Sequence, residues 1–115
     1  MTRRAAEPAL PLQPRVFAIL LLLAGGPRHG YGIMRALQEA TPQGRLLGPA
    51  TLYRTLKEMQ RIGLIAAAEG PAEESDGPPR RYYALSPLGK RVAGAEAERM
   101  ARLVAQARAG ALLPA

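Results

Sequence analysis

An unbroken apolar stretch, VFAILLLLAGG at residues 16–26, constrains the fold of this chain more than any other segment. Pro14 suits the first turn of a helix and the sequence from Gly25 to Pro27 ends one, so a helix is predicted between them. Its side chains are apolar nearly all round, so this helix must be buried on more than one side. The chain has only 115 residues, enough for one small domain. We therefore expect a second subunit to cover part of the helix.

The same stretch has the composition of the apolar core of a signal peptide. However, Glu7 and three prolines occupy the segment before it, which in a signal peptide is short and basic. The stretch is also shorter than the roughly 20 residues that a membrane span requires. We therefore expect a cytoplasmic protein that makes no membrane contact, with a flexible N-terminal tail over residues 1–14.

The net charge and the rare residue types narrow the classes of function. A formal net charge of +7 and a pI of about 10.8 favour a polyanionic partner, either nucleic acid or an anionic membrane surface. Cysteine is absent, which excludes a disulfide framework and a thiolate metal site. A single histidine, His29, argues against imidazole-based metal or triad chemistry. We expect no catalytic residues, no metal and no cofactor.

Periodicity and turn residues indicate the remaining elements. Two helices are predicted over 31–40 and 49–62, and two short strands over 64–69 and 80–85. The segment between the strands is polar and rich in Gly and Pro, as in a hairpin with a long mobile tip. Together with a long last helix, this order predicts a mainly α fold with a small β-hairpin.

The last helix is predicted from the N-cap Ser86 and the following Pro87 to about Gly110. Small and apolar residues recur along it at 4-3-4-3 spacing, the seam of a helix that packs lengthwise against a partner. The seam consists of Ala93, Ala97, Met100, Val104 and Ala107. In a dimer it could also line a cavity, which leaves room for a small-molecule effector. Charged residues, Glu96 among them, fill the other faces.

The predicted helix 49–62 is amphipathic. On a wheel of 100° per residue, its apolar face consists of Leu52, Leu56, Met59 and Ile62. The opposite side forms a basic ridge of Arg54, Lys57 and Arg61, with Glu58 off the ridge. A ridge of this kind is equally consistent with the solvated face of an ordinary surface helix.

The neighbouring elements favour nucleic acid. Two helices joined by a short turn and followed by a hairpin have the layout of a winged helix-turn-helix, whose second helix lies in the DNA major groove. Arg80 and Arg81, on the second strand of the hairpin, would extend the same basic surface. The acidic tip of the hairpin is a poor phosphate contact.

Three segments resemble one family in their order and spacing. HGYGIMRALQE (29–39), PATLYRTLKEMQRIGLI (49–65) and RRYYALSPLGKR (80–91) are similar to the PadR-type transcriptional regulators. The resemblance covers about residues 15–108, and the short last helix is similar to the compact branch of that family. It implies a dimeric repressor with a winged helix-turn-helix over 15–86 and a C-terminal dimerisation helix over 87–110, followed by a tail over 111–115.

The resemblance also implies roles for individual residues. The first and last helices would build the dimer interface, with Val16 and Leu20 on the first helix. Tyr53 and the basic residues of its helix would face DNA. Two departures from the family pattern concern the helix starts. Gly48 and Ala50 replace the usual serine and glycine around the proline, and Gly32 replaces a frequent acidic residue.

The residues expected to contact DNA are His29, Tyr31, Thr51, Tyr53, Arg54, Lys57, Arg61, Arg80 and Arg81. For His29 the plain alternative is a helix cap, and for Tyr31 it is burial at the dimer interface. Tyr82 and Tyr83 alternate along a strand, so one is expected in the core and the other at the surface. A two-fold dimer would prefer an inverted-repeat operator, with half-sites about one helical turn apart.

Two other functions are compatible with the same residues. One is a winged-helix module whose third helix binds a protein, which salt dependence and duplex preference would distinguish from DNA binding. The other is a basic amphipathic membrane binder, which is disfavoured because the apolar residues are needed for the core.

Overall fold

The computed structural model describes residues 8–40, 48–69 and 81–114. In chain order the elements are α1 (Pro14–Leu23), β1 (Arg28–His29), α2 (Gly30–Ala40), α3 (Pro49–Arg61), β2 (Ile65–Ala68), β3 (Tyr82–Leu85) and α4 (Pro87–Ala109). The predicted mainly helical fold with a winged helix-turn-helix and a long last helix is confirmed. The predicted hairpin tip, Arg80 and the first half of the predicted N-terminal tail lie outside the described residues.

The sheet has three strands where the sequence predicted a two-stranded hairpin. Its order is β1-β3-β2, and both pairings are antiparallel. β2 and β3 pair from Ile65↔Leu85 to Ala68↔Tyr82, as the hairpin prediction requires. β1 adds the pairs Arg28↔Tyr83 and His29↔Tyr82 on the other edge of β3. Because β1 leads directly into α2, it fastens the start of that helix to the hairpin.

The extra strand also corrects the prediction for the two tyrosines of β3. Tyr82 and Tyr83 are both buried, at 9% and 5% exposure. Tyr83 belongs to the main core. Tyr82 lies on the other face, where the ring of its cross-strand neighbour His29 packs edge-on at 5.4 Å between centroids. Strand alternation was therefore a poor guide to exposure, because both faces of β3 are covered here.

α1 lies at the centre of the core, as its all-round apolar character predicted. Ile19 and Leu20 are completely buried, and the apolar face of α3 packs in the same core through Leu52, Leu56 and Met59. This corrects the assignment of Leu20 to a dimer interface, because its side chain has no surface left within its own chain for a partner to touch. The adjacent Leu21 is 54% exposed and is the α1 residue that a second subunit could reach.

The predicted cap of α4 is present. Ser86 Oγ accepts a hydrogen bond from the Gly89 N–H at 2.9 Å and donates one to the carbonyl of Gly63. Gly63 has a φ of 86°, in the left-handed region that glycine adopts readily. A Cβ at Gly89 would overlap the carbonyl oxygen of Leu64, so only glycine permits α4 to start this close to the strand β2.

Glu96 is completely buried, so the face of α4 on which it lies is covered by its own chain. Its Oε2 accepts a hydrogen bond from the Leu12 N–H at 2.7 Å, and its Oε1 accepts one from Arg99 Nε. The hydrogen bond from the Arg99 guanidinium lowers the pKa of the Glu96 carboxyl, and the Leu12 N–H lowers it further. Desolvation by burial acts in the opposite direction and is outweighed. Leu12 is itself buried, so this part of the predicted flexible tail is packed against α4.

Candidate nucleic-acid interface

Gly48 is the N-cap of α3 and has no side chain to form a capping hydrogen bond. Pro49 follows as the first residue of the helix. Its apolar residues point into the core, and Tyr53, Arg54 and Lys57 are exposed on the other side. Thr51 is half-buried, and its carbonyl accepts a hydrogen bond from Thr55 Oγ1 at 2.8 Å. The first half of α3 is therefore held in the core by its apolar side and exposes an aromatic and a basic side chain on the other side.

The start of α2 lies beside this surface. His29 Nδ1 accepts a hydrogen bond from the Gly32 N–H at 2.9 Å, so the imidazole caps the first turn, as the plain alternative for this residue predicted. A Cβ on Gly32 would approach His29 Cε1 to 3.2 Å. Glycine at this position, where the family often has an acidic residue, thus allows the histidine ring to close over the helix end.

A concave surface joins α2, α3 and the hairpin, and we call it the front cavity. Its volume is about 460 Å³, and its lining residues are His29, Gly30, Tyr31, Tyr53, Arg81 and Tyr83. Four residues that the sequence predicted as DNA contacts therefore come together here: His29 from β1, Tyr31 from α2, Tyr53 from α3 and Arg81 from just before β3.

Tyr31 is 49% exposed at the edge of the front cavity. Its ring stacks beside that of His29, with 6.4 Å between centroids and an angle of 12° between planes. Its hydroxyl accepts a hydrogen bond from Arg35 at 3.3 Å, and the Arg35 guanidinium carbon lies 5.9 Å from the ring centroid. These contacts orient the Tyr31 ring without covering it, so it stays accessible in the single chain.

Arg61, the third member of the basic ridge, is engaged by a carboxylate. The side chain of Glu58 forms two hydrogen bonds with the Arg61 guanidinium, one of them at 2.9 Å from Nε. The hydrogen bond raises the pKa of Arg61 and lowers that of Glu58. The wheel placed Glu58 off the ridge, but the spacing of three residues lets it reach Arg61. The accessible positive charge of α3 is therefore concentrated at Arg54 and Lys57.

A second groove, which we call the side groove, lies between the start of α1 and the middle of α3. Its volume is about 490 Å³. Val16, Met59 and Ile62 contribute its apolar lining, and Arg15, Arg54 and Lys57 contribute positive charge. Arg54 and Lys57 therefore line this groove as well as forming the basic ridge.

The residues predicted for dimerisation differ in their surroundings. Ala93 and Met100 pack partly on the core of their own chain, as does Val16 on α1. Beyond Met100 the helix leaves the core: Val104 is 37% exposed and Leu103, which the sequence analysis did not select, is 49% exposed. Ala97 is exposed and Ala107 is half-buried. Leu103 could have been found from its position three residues after Met100, on the border of the seam.

Neither a metal centre nor a membrane segment is found within residues 8–40, 48–69 and 81–114. No three His, Asp or Glu side chains in these ranges are placed to hold a metal ion. In the same ranges, every helix is too short or too polar to traverse a bilayer.

Comparison with known proteins places this geometry in a family. The sequence matches the profile of the transcriptional regulator PadR-like family over residues 19–95. It is 36% identical over 85 residues to an uncharacterized 37.1 kDa protein in transposon TN4556 of Streptomyces fradiae, covering 74% of this chain and 22% of that protein. It is 33% identical over 72 residues to uncharacterized protein X of Lysinibacillus sphaericus, covering 63% of this chain and 64% of that protein. The chain thus spans less than two thirds of the length of either relative.

The fold comparison agrees. The crystal structure of a PadR family transcription regulator from Clostridium difficile superposes with a TM-score of 0.69 at 25% identity, covering 88% of this chain and all of that one. The matched profile includes α2, α3, the sheet and the first turns of α4, which are the elements that build the front cavity and the basic ridge. The chain belongs to the PadR-like family of transcriptional regulators.

Proposed function

We propose that this protein is a homodimeric, sequence-specific DNA-binding regulator that represses transcription by occupying an inverted-repeat operator. The observation that carries the proposal is the junction of α3 with the front cavity. Tyr53 on α3 and Arg81 on the hairpin line the front cavity with the start of α2, and Arg54 is exposed next to Tyr53 on α3. A polyanion laid across this surface meets positive charge from two separate elements.

Different parts of the surface suit different parts of a duplex. Arg54 lies in the first half of α3, the part of a recognition helix that reaches base edges in the major groove. A guanidinium there can pair bidentately with guanine. Arg81 precedes β3 at the side of the recognition helix, where a wing runs along the backbone, so a phosphate is its expected partner. Lys57, one turn beyond Arg54, suits either a phosphate or a base edge.

The free end of α4 supports a dimer. α4 has 23 residues, which corresponds to a length of roughly 34 Å. Within residues 8–40, 48–69 and 81–114, the part of α4 up to Met100 packs on the core, and Leu103 and Val104 project beyond it. Burial of these apolar side chains against a second copy of the chain would remove their surface from water and so stabilise a dimer. Two copies joined by a two-fold axis would present two α3 helices and hence prefer an inverted repeat.

The side groove supports an effector that competes with DNA. Its volume of about 490 Å³ suits a small molecule, and its apolar lining carries a cationic rim. An occupant would contact Arg54 and Lys57, which the proposed DNA complex also uses. The anionic aromatic dye 1-anilinonaphthalene-8-sulfonate serves as a probe. Its fluorescence should rise on binding the protein and fall when operator duplex is added, and an unchanged signal on DNA addition would contradict competition at this groove.

The proposed function is tested by selecting duplexes from a random pool with the purified protein, followed by titration at several salt concentrations. We expect an enriched inverted repeat, bound more tightly than random duplex. Arg54→Ala should weaken the preference. Arg102→Ala is the matched control, since it removes one positive charge from an exposed site on the opposite side of α4 from the seam. Enrichment of no sequence, with weak binding that salt abolishes, would instead favour a protein-binding module.

Repression is tested separately with a reporter gene placed behind the selected operator. Occupancy of an operator by a dimer obstructs polymerase, so co-expression of the protein should lower reporter output. Arg54→Ala should restore the output at equal protein level. An increase in output with the unaltered protein would identify an activator.

A further inference from the structure

Gly30 is the first residue of α2 and lines the front cavity together with Tyr53 of α3. We propose that Gly30 is a positioning residue for DNA recognition, because it lets the Tyr53 ring lie against the start of α2. This inference rests on the proposed DNA-binding function and assigns a role to a residue that itself offers no side chain to DNA.

The contact between the two residues leaves no space for a larger side chain. A Cβ at Gly30 would lie 2.7 Å from Tyr53 Cε1, 3.0 Å from its hydroxyl oxygen and 3.2 Å from Cζ. Non-bonded carbon atoms prefer separations of about 3.5–4.0 Å, so the ring would have to move. The Tyr53 side chain is 48% exposed and can rotate outward without disturbing the core.

The backbone gives no other reason for glycine at this position. Among the described residues only Gly26 and Gly63 are glycines with a positive φ, so the conformation of Gly30 suits any L-residue. Among the described residues, the three atoms that a Cβ at Gly30 would approach most closely all belong to the Tyr53 side chain.

The position of the ring matters for what the front cavity can bind. The Tyr53 hydroxyl lies beside the first turn of α2, which carries the positive end of the helix dipole. Arg81 lines the same cavity from the hairpin. A phosphate seated there would meet a hydroxyl donor, a helix N-terminus and a guanidinium. Turning the ring out of this place would remove the hydroxyl donor and would leave the ring in the path of the duplex.

The test compares Gly30→Ala in two backgrounds, the unaltered protein and Tyr53→Ala. With Tyr53 present, Gly30→Ala should weaken operator binding by about ten- to a hundredfold for each half-site, as expected for loss of one charge-assisted hydrogen bond there. In the Tyr53→Ala background the same substitution should change affinity by less than about twofold, because the colliding ring is gone. Gly94→Ala is the control for helix propensity, since a Cβ there meets nothing within 4 Å.

A second measurement reads the ring position without DNA. The chain has four tyrosines, so labelling with 3-fluorotyrosine gives four ¹⁹F resonances, and Tyr53→Phe assigns one of them. Gly30→Ala should shift the Tyr53 resonance, while the melting temperature stays at or above that of the unaltered protein. An unshifted resonance overturns the proposal, as does equal loss of affinity in both backgrounds. Failure of the unaltered protein to bind any duplex would instead contradict the proposed function, whatever the resonance shows.

Discussion

Two exposed surfaces of this small chain have opposite chemistry. At the front cavity and α3, the exposed side chains include three cations and an aromatic ring with a polar end: Tyr53, Arg54, Lys57 and Arg81. At the end of α4 they include an aliphatic set: Leu103 and Val104 on the helix, and Leu112 and Leu113 after it, are exposed between 37% and 81%.

This difference in chemistry indicates a different kind of partner for each surface. Cations are well solvated in water, so the front surface is stable alone and gains from a polyanion through counterion release, which salt weakens. Aliphatic side chains gain by leaving water whatever the ionic strength, at roughly 25 cal/mol per Å² of buried area. We therefore expect salt to weaken DNA binding strongly and the α4 association little.

The largest effect should come from ending the chain after Met100. This removes the projecting part of α4 but keeps Val92 and Glu96, which the core requires. The product should fold, sediment as a monomer, and lose operator affinity by about a hundred- to ten-thousandfold, because the two half-sites are no longer engaged together. Sedimentation equilibrium and circular dichroism check the two statements separately.

A shorter product provides the comparison for this truncation. Ending the chain at Leu85 also removes Gly89 and Val92, so it should unfold or aggregate rather than give a clean monomer. If the chain ending at Met100 sediments as a dimer at the concentration where the full chain does, the projecting half of α4 is not the interface.

Arg54→Ala should have the next largest effect. Loss of a bidentate contact to guanine should narrow the difference in binding free energy between operator and random duplex by roughly 1–3 kcal/mol per half-site. Titrations against both duplexes measure this difference. Equal loss on the two would show that Arg54 contacts phosphate, and base reading would then have to be sought at Thr51 or Lys57.

Arg81→Ala should act on both duplexes alike. A phosphate contact carries no sequence information, so affinity for operator and random duplex should fall by about the same factor. The slope of log K against log salt should decrease by roughly one per subunit. A change in the preferred sequence would contradict this assignment and place Arg81 at a base edge, for example in the minor groove.

Most of the fold could be predicted from the sequence because its signals are strong and local. Pro14, Pro49 and Pro87 each stand in the first turn of a helix, and the apolar faces of α1 and α3 follow a helical period over several turns. The front surface could be predicted in part for the same reason. Once α3 is a helix, Tyr53, Arg54 and Lys57 must lie away from its apolar face.

The remaining features depend on contacts between segments far apart in the chain. β1 has two residues, too few to show alternation, and it exists because β3 offers it an edge. On a helical wheel Glu96 lies about 40° from Met100, at the border of the seam, but its charge argues for exposure, and the bond that makes its burial favourable comes from Leu12, 84 positions away. The meeting of Gly30 with Tyr53 likewise needs the angle between α2 and α3, which no local pattern encodes.

The burial of Glu96 in α4 predicts that the stability of the fold depends on pH. Its pKa is lower in the folded chain than the ordinary value of 4.5. The pair with Arg99 therefore stabilises the fold fully above pH 4.5, and this contribution is lost as the pH falls through the lowered pKa. Glu96→Gln should lower the melting temperature at pH 7 by several degrees, and the difference should shrink below pH 4.5.

Glu58→Gln is the matched control, since Glu58 forms the same i,i+3 pair with Arg61 at an exposed site. Water screens an exposed pair, so its removal should leave the melting temperature nearly unchanged at both pH values. Equal destabilisation by the two substitutions would mean that burial of Glu96 and its bond to Leu12 contribute nothing.

The smallest effect should come from Arg61, although it belongs to the predicted ridge. Its guanidinium is paired with Glu58, and the negative charge of that carboxylate offsets the attraction of Arg61 for a phosphate. Among the described residues, Lys57 has no such partner. Arg61→Ala should therefore reduce DNA affinity by less than about twofold, and Lys57→Ala should reduce it more and flatten the salt dependence.

Glu58→Gln tests the role of the ion pair directly, because it releases Arg61 and removes a negative charge from the exposed side of α3. It should raise affinity for random duplex, and adding Arg61→Ala should cancel most of that gain. If Arg61→Ala alone weakens binding as much as Lys57→Ala does, the pair with Glu58 opens on DNA and Arg61 is a full member of the front surface.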